Sequence, residues 1–374
     1  MVEPAPFPRV VGRVRGAAPG PLLLVVGGIH GNEPAGLHAA QKVLPRLDPL
    51  AMRGDFVVLA GNVRALAQNR RFLARDLNRQ WSPERMAAAP PAGSDPEALE
   101  QRELSAALAE ALASARGPVF FLELHTTSAE GIPFALVGDT LPNRDFAARF
   151  PLPVILGLEE QVDGVLAEFM SARGCVTLVV EGGQHQSQAA AQNLESVLWL
   201  ALEAVGLVPA LPACRQAYAQ LDRARAGLPR LMEVLSRHPV QPDDGFRMEP
   251  GFANIARVSA RQLLARDRSG DIRAHRGGFI FLPLYQAQGE DGFFVGRAVG
   301  PLSRRASALV RWARLDRLLG LLPGVRPVGP DELDVTPRAA AFYPSDLFRL
   351  FGYRIVRPAG PRLSIARRAT PRSA

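Results

Sequence analysis

The chain has 374 residues, of which 47% are hydrophobic and 21% are charged, and this balance excludes a disordered chain. Two cysteines are too few for a disulfide framework or a cysteine-bound zinc site. The formal net charge of +8 is uneven, because residues 1–213 carry 17 basic and 22 acidic side chains and residues 214–374 carry 27 and 14. We recognise neither a secretory leader nor an apolar run near the ~20 residues that cross a bilayer, so we expect a cytoplasmic protein without membrane contact.

The first 205 residues alternate short apolar runs with helical patterns. The predicted strands are Leu22–Gly28, Asp55–Gly61, Val119–Leu124, Phe134–Val137, Pro153–Leu156 and Cys175–Val180. The predicted helices are Pro34–Leu44, Pro96–Ala115, Val165–Ala172 and Gln188–Val205. Strands that alternate with helices build a sheet covered by helices on both faces, so the sequence predicts an α/β fold.

The pattern changes after residue 213. Gln216–Arg237 predicts a connecting pair of helices, and residues from about 239 to 300 show short β-like runs punctuated by Gly and Pro, as in a small β-rich domain. Residues 303–320 predict a basic amphipathic helix, and Arg362–Ala374 predicts a mobile tail. We therefore divide the chain into domains 1–213 and 214–374.

Two histidines occupy similar places in the predicted α/β part. His30 closely follows the first apolar strand, and His125 ends the strand that begins at Val119. Ligands of open α/β sheets gather at the carboxyl ends of the strands. Glu33 lies three residues after His30, and two histidines with a carboxylate are a common catalytic zinc set. Each residue alone fits a loop or a helix N-terminus, but together they predict a metal site.

Two further groups complete the predicted site. Glu181 ends an apolar strand before two glycines, where desolvation raises a carboxyl pKa towards the range of a general base; an ion-pair role is the alternative. The segment from Arg71 to Arg79 is rich in charge. Arginine binds carboxylates through paired hydrogen bonds and stabilises oxyanions, although a solvated charged loop also fits this segment.

Four motifs in order now resemble a known family. They are His30-Gly-Asn-Glu33, Arg71 with Asp76-Leu-Asn-Arg79, Leu124-His125-Thr126 and Glu181-Gly-Gly. Over roughly residues 20–205 they are similar to the succinylglutamate desuccinylase/aspartoacylase family of zinc carboxypeptidase-like hydrolases. The resemblance implies a mixed sheet flanked by helices, a smaller β-rich C-terminal domain and one Zn²⁺ per chain.

The resemblance also implies a role for each matching residue. The implied zinc ligands are His30, Glu33 and His125. The implied catalytic residues are Arg71, which polarises the scissile carbonyl, and Glu181, the base and proton shuttle. The implied substrate-binding residues are Asn78, Arg79 and Tyr285. Glu123 stands where the family often has aspartate, and it can still orient His125 through an outer hydrogen bond.

The expected function is zinc-dependent hydrolysis of the amide bond of a small N-acyl amino acid that carries a carboxylate. A metallocarboxypeptidase or esterase acting on a peptide or ester uses the same groups and stays open. A non-catalytic protein that binds nucleic acid or another anion through its basic second half is the third alternative. Aromatic residues are only 7% of the chain, and no base-stacking platform is evident, which disfavours nucleic acid. The sequence does not determine the acyl group or the oligomeric state.

Overall fold

The computed structural model describes residues 7–88, 95–158, 161–225, 227–329, 332–359 and 362–367. Its strands are β1 Val10–Arg15, β2 Ala18–Gly27, β3 Arg53–Ala60, β4 Val119–Thr127, β5 Phe134–Val137, β6 Val154–Leu156, β7 Val176–Gln184, β8 Leu231–Pro239, β9 Arg247–Met248, β10 Ala256–Val258, β11 Leu263–Asp267, β12 Gly270–Arg273, β13 Gly278–Phe281, β14 Asp291–Ala298, β15 Val325–Gly329, β16 Glu332–Val335, β17 Tyr353–Ala359 and β18 Arg362–Arg367. Its helices are α1 Ala35–Val43, α2 Val63–Ala67, α3 Pro83–Ala87, α4 Pro96–Ala113, α5 Leu141–Ala147, α6 Leu166–Ser171, α7 Gln188–Ala204, α8 Pro212–Arg225, α9 Pro301–Trp312, α10 Pro337–Phe342 and α11 Ser345–Leu350.

A mixed sheet of eleven strands organises the described chain, in the order β1-β3-β2-β4-β7-β5-β6-β8-β14-β13-β10. Strands β3, β2, β4 and β7 are mutually parallel neighbours, whereas β5 runs antiparallel to β7. The fold class predicted from the sequence, a mixed α/β sheet with helices and a further β-rich part, is confirmed. The carboxyl ends of β2, β4 and β7 meet at one edge, and this edge carries the candidate site.

The central strands form because their side chains are buried on both faces. Residues Leu22–Val26 of β2 have no exposed surface, and such continuous apolar runs are typical of parallel strands covered by helices. One side of the sheet packs on α1 and α7, with Leu37, Leu194 and Val197 in the core. The other side packs on α4 and α6, with Leu104 and Leu166. The loops at the candidate site therefore follow strands that are packed on both faces.

The predicted helix pair over Gln216–Arg237 is half wrong. Helix α8 ends at Arg225, and Leu231–Pro239 forms strand β8. Met232 and Val234 are buried at alternate positions of this strand, so the period of two decides its structure. Strand β8 pairs with β6 on one side and with β14 on the other, and the main sheet thereby crosses the proposed boundary at 213/214.

The rest of the second half contains smaller units. Strands β9, β11 and β12 form a three-stranded sheet, and β15–β18 form a four-stranded sheet. The predicted basic helix corresponds to α9 followed by a 3₁₀ segment, Leu315–Leu321. Residues 362–367 of the predicted mobile tail form β18, which pairs with β16 and β17, and residues 368–374 lie outside the described residues. No helix within the described ranges has the length and apolar character to cross a membrane.

Candidate functional site

The loop after β2 is shaped by two glycines. Gly28 has φ +66°, a conformation that favours glycine. A Cβ on Gly31 would lie 2.1 Å from the carbonyl carbon of Ala65, so no larger residue fits there. The Gly31 N–H also donates to the carbonyl oxygen of Arg71 at 3.1 Å. These contacts join the loop of His30 to the loop of Arg71.

Three predicted metal-site residues converge on one point. The Nδ1 atoms of His30 and His125 lie 2.9 and 3.0 Å from the two carboxylate oxygens of Glu33. One potential ligand atom from each of the three residues lies within 4.8 Å of the others, and all three residues are buried. Their registers explain the meeting, because His125 is on β4 beside the end of β2. Nitrogen and carboxylate oxygen donors in this number suit a divalent transition metal.

The far side of each imidazole ring is held by a second carboxylate. The Nε2 of His30 lies 3.1 Å from Asp76 Oδ1, and the Nε2 of His125 lies 3.1 Å from Glu123 Oε1. A carboxylate behind the ring fixes the orientation and tautomer of a metal-binding histidine. Glu123 thus occupies the place that the sequence suggested. Asp76 belongs to one of the four quoted motifs but carried no predicted role, and its contact with His30 depends on tertiary structure.

Burial and charge oppose each other at these groups. Burial disfavours ionised Glu33, but His30 and His125 hold the pKa of this carboxyl well below its usual value. Burial likewise disfavours protonated His125, but Glu123 and Glu33 raise the pKa of its imidazole well above the usual value. Burial opposes ionisation of Asp76, and its pKa is lowered by His30 and by the nearby arginines. Glu33 and Asp76 therefore favour their ionised forms, which can balance positive charge at this site.

Glu181 lies beside this group as the register partner of His125 across β4 and β7. Burial raises the pKa of Glu181 to about 8; the charge of His125 lowers it and that of Glu33 raises it. Within the described residues, its Oε2 has no hydrogen-bond partner. A carboxyl with an elevated pKa and an unpaired oxygen can accept a proton and return it.

We expect the burial of Glu181 to make the free energy of unfolding of the metal-free protein depend on pH. The pKa of this carboxyl is raised to about 8 in the folded protein, whereas its ordinary value is 4.5. Its contribution to stability is complete below pH 4.5 and declines as the pH rises through 8, by several kcal/mol. Glu181→Gln is always neutral, so its free energy of unfolding relative to wild type should increase between pH 5 and pH 8. Urea unfolding in a chelator measures this, and parallel pH curves would contradict it.

The arginine loop is anchored by a buried carboxylate. Glu97, in the first turn of α4, has no exposed surface. It accepts hydrogen bonds from the backbone N–H groups of Leu73 and Ala74 at 2.7 and 2.9 Å and from Asn62 Nδ2 at 3.1 Å. Its role was missed because a glutamate in a first helical turn ordinarily indicates only a favourable helix dipole. Here it positions the loop of Arg71.

Arg71 points into the site from this loop. Its guanidinium donates to Glu33 Oε1 at 3.3 Å and to Asp76 Oδ2 at 3.0 Å. The side chain is 13% exposed. The predicted polarising arginine is therefore brought to Glu33, the carboxylate of the candidate metal site.

Asn78 and Arg79, predicted to bind substrate, already have protein partners. Asn78 Oδ1 accepts from the backbone N–H of Leu166 at 2.8 Å, and its Nδ2 donates to Glu123 at 3.0 Å. This asparagine therefore supports the carboxylate behind His125. Arg79 donates to Asp291 Oδ2 at 2.6 Å. Both residues line the cavity, but Arg79 is the one with charge to offer.

Tyr285 is not brought into the cavity. Its hydroxyl donates to the carbonyl of Glu249 at 2.7 Å and accepts from the N–H of Phe252. The tyrosine is 39% exposed. The adjacent Gln286 lines the cavity instead and contacts His185 at 3.2 Å. The sequence does not indicate whether Tyr285 or Gln286 faces the cavity, because this depends on the path of the loop.

The site opens into a cavity of about 250 Å³. Its lining includes the three candidate ligands, Arg71 and Glu181. The remaining wall includes apolar side chains from several elements, namely Leu136, Leu158, Val162, Val165, Leu282 and Phe294. A concave apolar site with a few convergent polar groups is typical of small-molecule binding.

Comparison with known proteins supports one family. Residues 19–200 match the model of the succinylglutamate desuccinylase/aspartoacylase catalytic domain. A curated succinylglutamate desuccinylase from Photorhabdus laumondii is 30% identical over 134 residues, which cover 34% of this chain and 40% of the relative. The match thus spans less than half the length of that relative.

Solved structures share the fold at low identity. A succinylglutamate desuccinylase/aspartoacylase from Rhodobacter sphaeroides is 20% identical with a TM-score of 0.59, covering 77% of this chain and 88% of the other. The ectoine utilization protein EutE (DoeB) from Ruegeria pomeroyi is 19% identical with a TM-score of 0.57, covering 76% and 88%. A mutant murine aminoacylase 3 is 17% identical with a TM-score of 0.51, covering 76% and 96%.

Proposed function

We propose, from the match of residues 19–200 to the succinylglutamate desuccinylase/aspartoacylase catalytic domain, that this chain is a member of that family and a zinc-dependent hydrolase of N-acyl amino acids. The proposed reaction cleaves an amide into a carboxylate and a free amine. The observation that carries the proposal is the convergence of two imidazole Nδ1 atoms on Glu33, with each opposite Nε2 held by a carboxylate.

The donor set fits one zinc ion. His30, Glu33 and His125 would be its ligands, and three protein ligands leave room for water or substrate, as in catalytic zinc sites. When bound, zinc acidifies water and polarises a carbonyl group. The outer carboxylates Asp76 and Glu123 would keep both histidine rings in the orientation that presents Nδ1.

Glu181 is proposed as the general base and acid. Its buried carboxylate, beside the candidate ligands, would take one proton from the attacking water and deliver it to the amide nitrogen as the carbon–nitrogen bond breaks. The absence of a partner for its Oε2 within the described part of the chain leaves that oxygen available to the proton.

The arginines divide the remaining tasks. Arg71, held beside Glu33, would donate to the oxygen of the tetrahedral intermediate, where charge develops. Arg79 would face the carboxylate of the substrate, with its own charge balanced by Asp291. Asn78 would act through Glu123 and His125.

A zinc measurement combined with a substrate panel tests the proposal. We expect protein reconstituted with zinc to hold one zinc per chain and to release free amine from N-acetyl amino acids. Short peptides and aryl esters, run as parallel substrates, test the carboxypeptidase and esterase alternatives. The variant with His30→Ala and His125→Ala together serves as the metal-free control. Hydrolysis that is equal in this variant, or absent from all N-acyl substrates in the loaded wild type, would reject the proposal.

A further inference from the structure

Arg79, the arginine predicted to bind the substrate carboxylate, already forms an ion pair with an acidic side chain, Asp291. Asp291, the first residue of β14, lies between Arg79 and Arg237, with Oδ2 2.6 Å from the first guanidinium and Oδ1 2.5 Å from the second. The side chains of Asp291 and Arg79 are 14% and 11% exposed. Arg237 is also fixed by donation to the carbonyl of Gln161 at 3.0 Å. The three groups together carry a single positive charge.

Among the described residues that line the cavity, carboxyl groups outnumber arginines. Its described lining includes two arginines, Arg71 and Arg79, against six carboxyl groups: Glu33, Glu123, Glu168, Glu181, Glu290 and Asp291. Arg71 is held by Glu33 and by Asp76. One substrate carboxylate can share the Arg79–Asp291–Arg237 group, but a second would meet negative charge.

The wall of the cavity suits an apolar group instead. Leu136, Val162 and Phe294 belong to the hydrophobic core next to the cavity, and Leu158, Val165 and Leu282 pack against that core. Burying apolar substrate atoms against such a wall is favourable, whereas burying an unpaired carboxylate is costly.

We propose that Asp291 is a specificity-determining residue that restricts the substrate to N-acyl amino acids with a single carboxylate and an apolar acyl or side-chain group. The inference rests on the proposed function and deepens it. Asp291 acts by balancing part of the positive charge of Arg79 and Arg237, so that Arg79, which lines the cavity, recognises one carboxylate and leaves the apolar wall to the rest of the substrate.

The test on the wild-type protein compares a substrate that carries one carboxylate with two substrates that carry two. N-acetyl-L-leucine carries one, N-acetyl-L-glutamate adds one on the side chain, and N-succinyl-L-leucine adds one on the acyl group. We expect kcat/KM of the zinc-loaded protein to be at least about 30-fold higher for the first than for either of the others. Equal or inverted values would overturn the proposal.

Two variants separate electrostatics from structural damage. Asp291→Asn removes a negative charge and should lower the preference for N-acetyl-L-leucine over N-acetyl-L-glutamate by about tenfold, while Arg237→Gln removes a positive charge and should increase the preference. Shifts of both variants in the same direction would overturn the proposal. Asp271→Asn is the matched control, because Asp271 is 44% exposed and pairs with Arg273 on the small sheet; it should leave the preference unchanged.

Failure of the proposed function is distinguishable from failure of this inference. Hydrolysis of none of the three compounds would count against the function alone. Calorimetric binding of N-acetyl-L-leucine and N-acetyl-L-glutamate then measures the same charge selectivity without turnover. Stronger binding of the leucine compound by wild type, reduced in Asp291→Asn, would support the role of Asp291, and equal binding would reject it.

Discussion

Replacement of Glu181 by glutamine is expected to lower kcat by about 10³-fold, within the range that general acid–base groups contribute. Glutamine keeps the size of the side chain but cannot accept the proton of the attacking water. Because Glu181 is not one of the three converging ligands, the variant should still bind one zinc per chain. KM should change much less than kcat, since the proton transfer takes place in the transition state.

Steady-state kinetics with zinc analysis on the same sample measures both parts of this prediction. Glu130→Gln is a matched control, because Glu130 is exposed and is not among the residues that line the cavity. Its kcat should stay within about twofold of wild type, as for most surface substitutions. A Glu181→Gln enzyme with full activity and full zinc content would remove this residue from the mechanism.

Replacement of Glu33 by alanine is expected to abolish high-affinity zinc binding and, with it, hydrolysis. The carboxylate of Glu33 contacts both imidazole rings and accepts the backbone N–H of Thr126 at 3.1 Å. Loss of an outer carboxylate already costs 10–100-fold in metal affinity, so loss of a direct ligand should cost more than about 100-fold.

Competition with a zinc-binding dye measures this affinity. Asp76→Asn provides a graded comparison, because Asp76 contacts His30 from the far side of the ring; it should lower zinc affinity by about 10–100-fold. Far-ultraviolet circular dichroism checks that both variants fold. If folded Glu33→Ala binds zinc as tightly as wild type, the proposed ligand set is incorrect.

Several features of this molecule were predictable because they depend on residues near one another in the chain. The apolar run Leu22–Val26 has to be buried whatever packs on it, and it forms the fully buried part of β2, an interior strand of the sheet. His30, Glu33, His125 and Glu181 each stand at a strand end or just beyond it, and parallel strands bring such ends to one edge. The fold class inferred from these motifs is confirmed, and residues 19–200 match the catalytic-domain model of the inferred family.

Other features depended on long-range packing. The predicted helix pair extended to Arg237, but Leu231–Pro239 forms a strand because it pairs with β6 and β14. Tyr285 was expected at the substrate and is directed away from the cavity by its bonds to residues 249 and 252. The direction of a side chain in a loop depends on small differences in backbone angles, and the residue type at position 285 does not specify them.

By itself the sequence determined which residue types follow the predicted strands. Two histidines, two glutamates and an arginine stand at positions that the edge of a sheet brings together. Only the tertiary structure decided which charges oppose each other, since Arg79 and Asp291 are 212 residues apart and Glu97 reaches its loop from another element. Local patterns encode burial and periodicity, whereas the pairing of buried charges follows from how distant elements dock, because each buried ion requires a partner within hydrogen-bond distance.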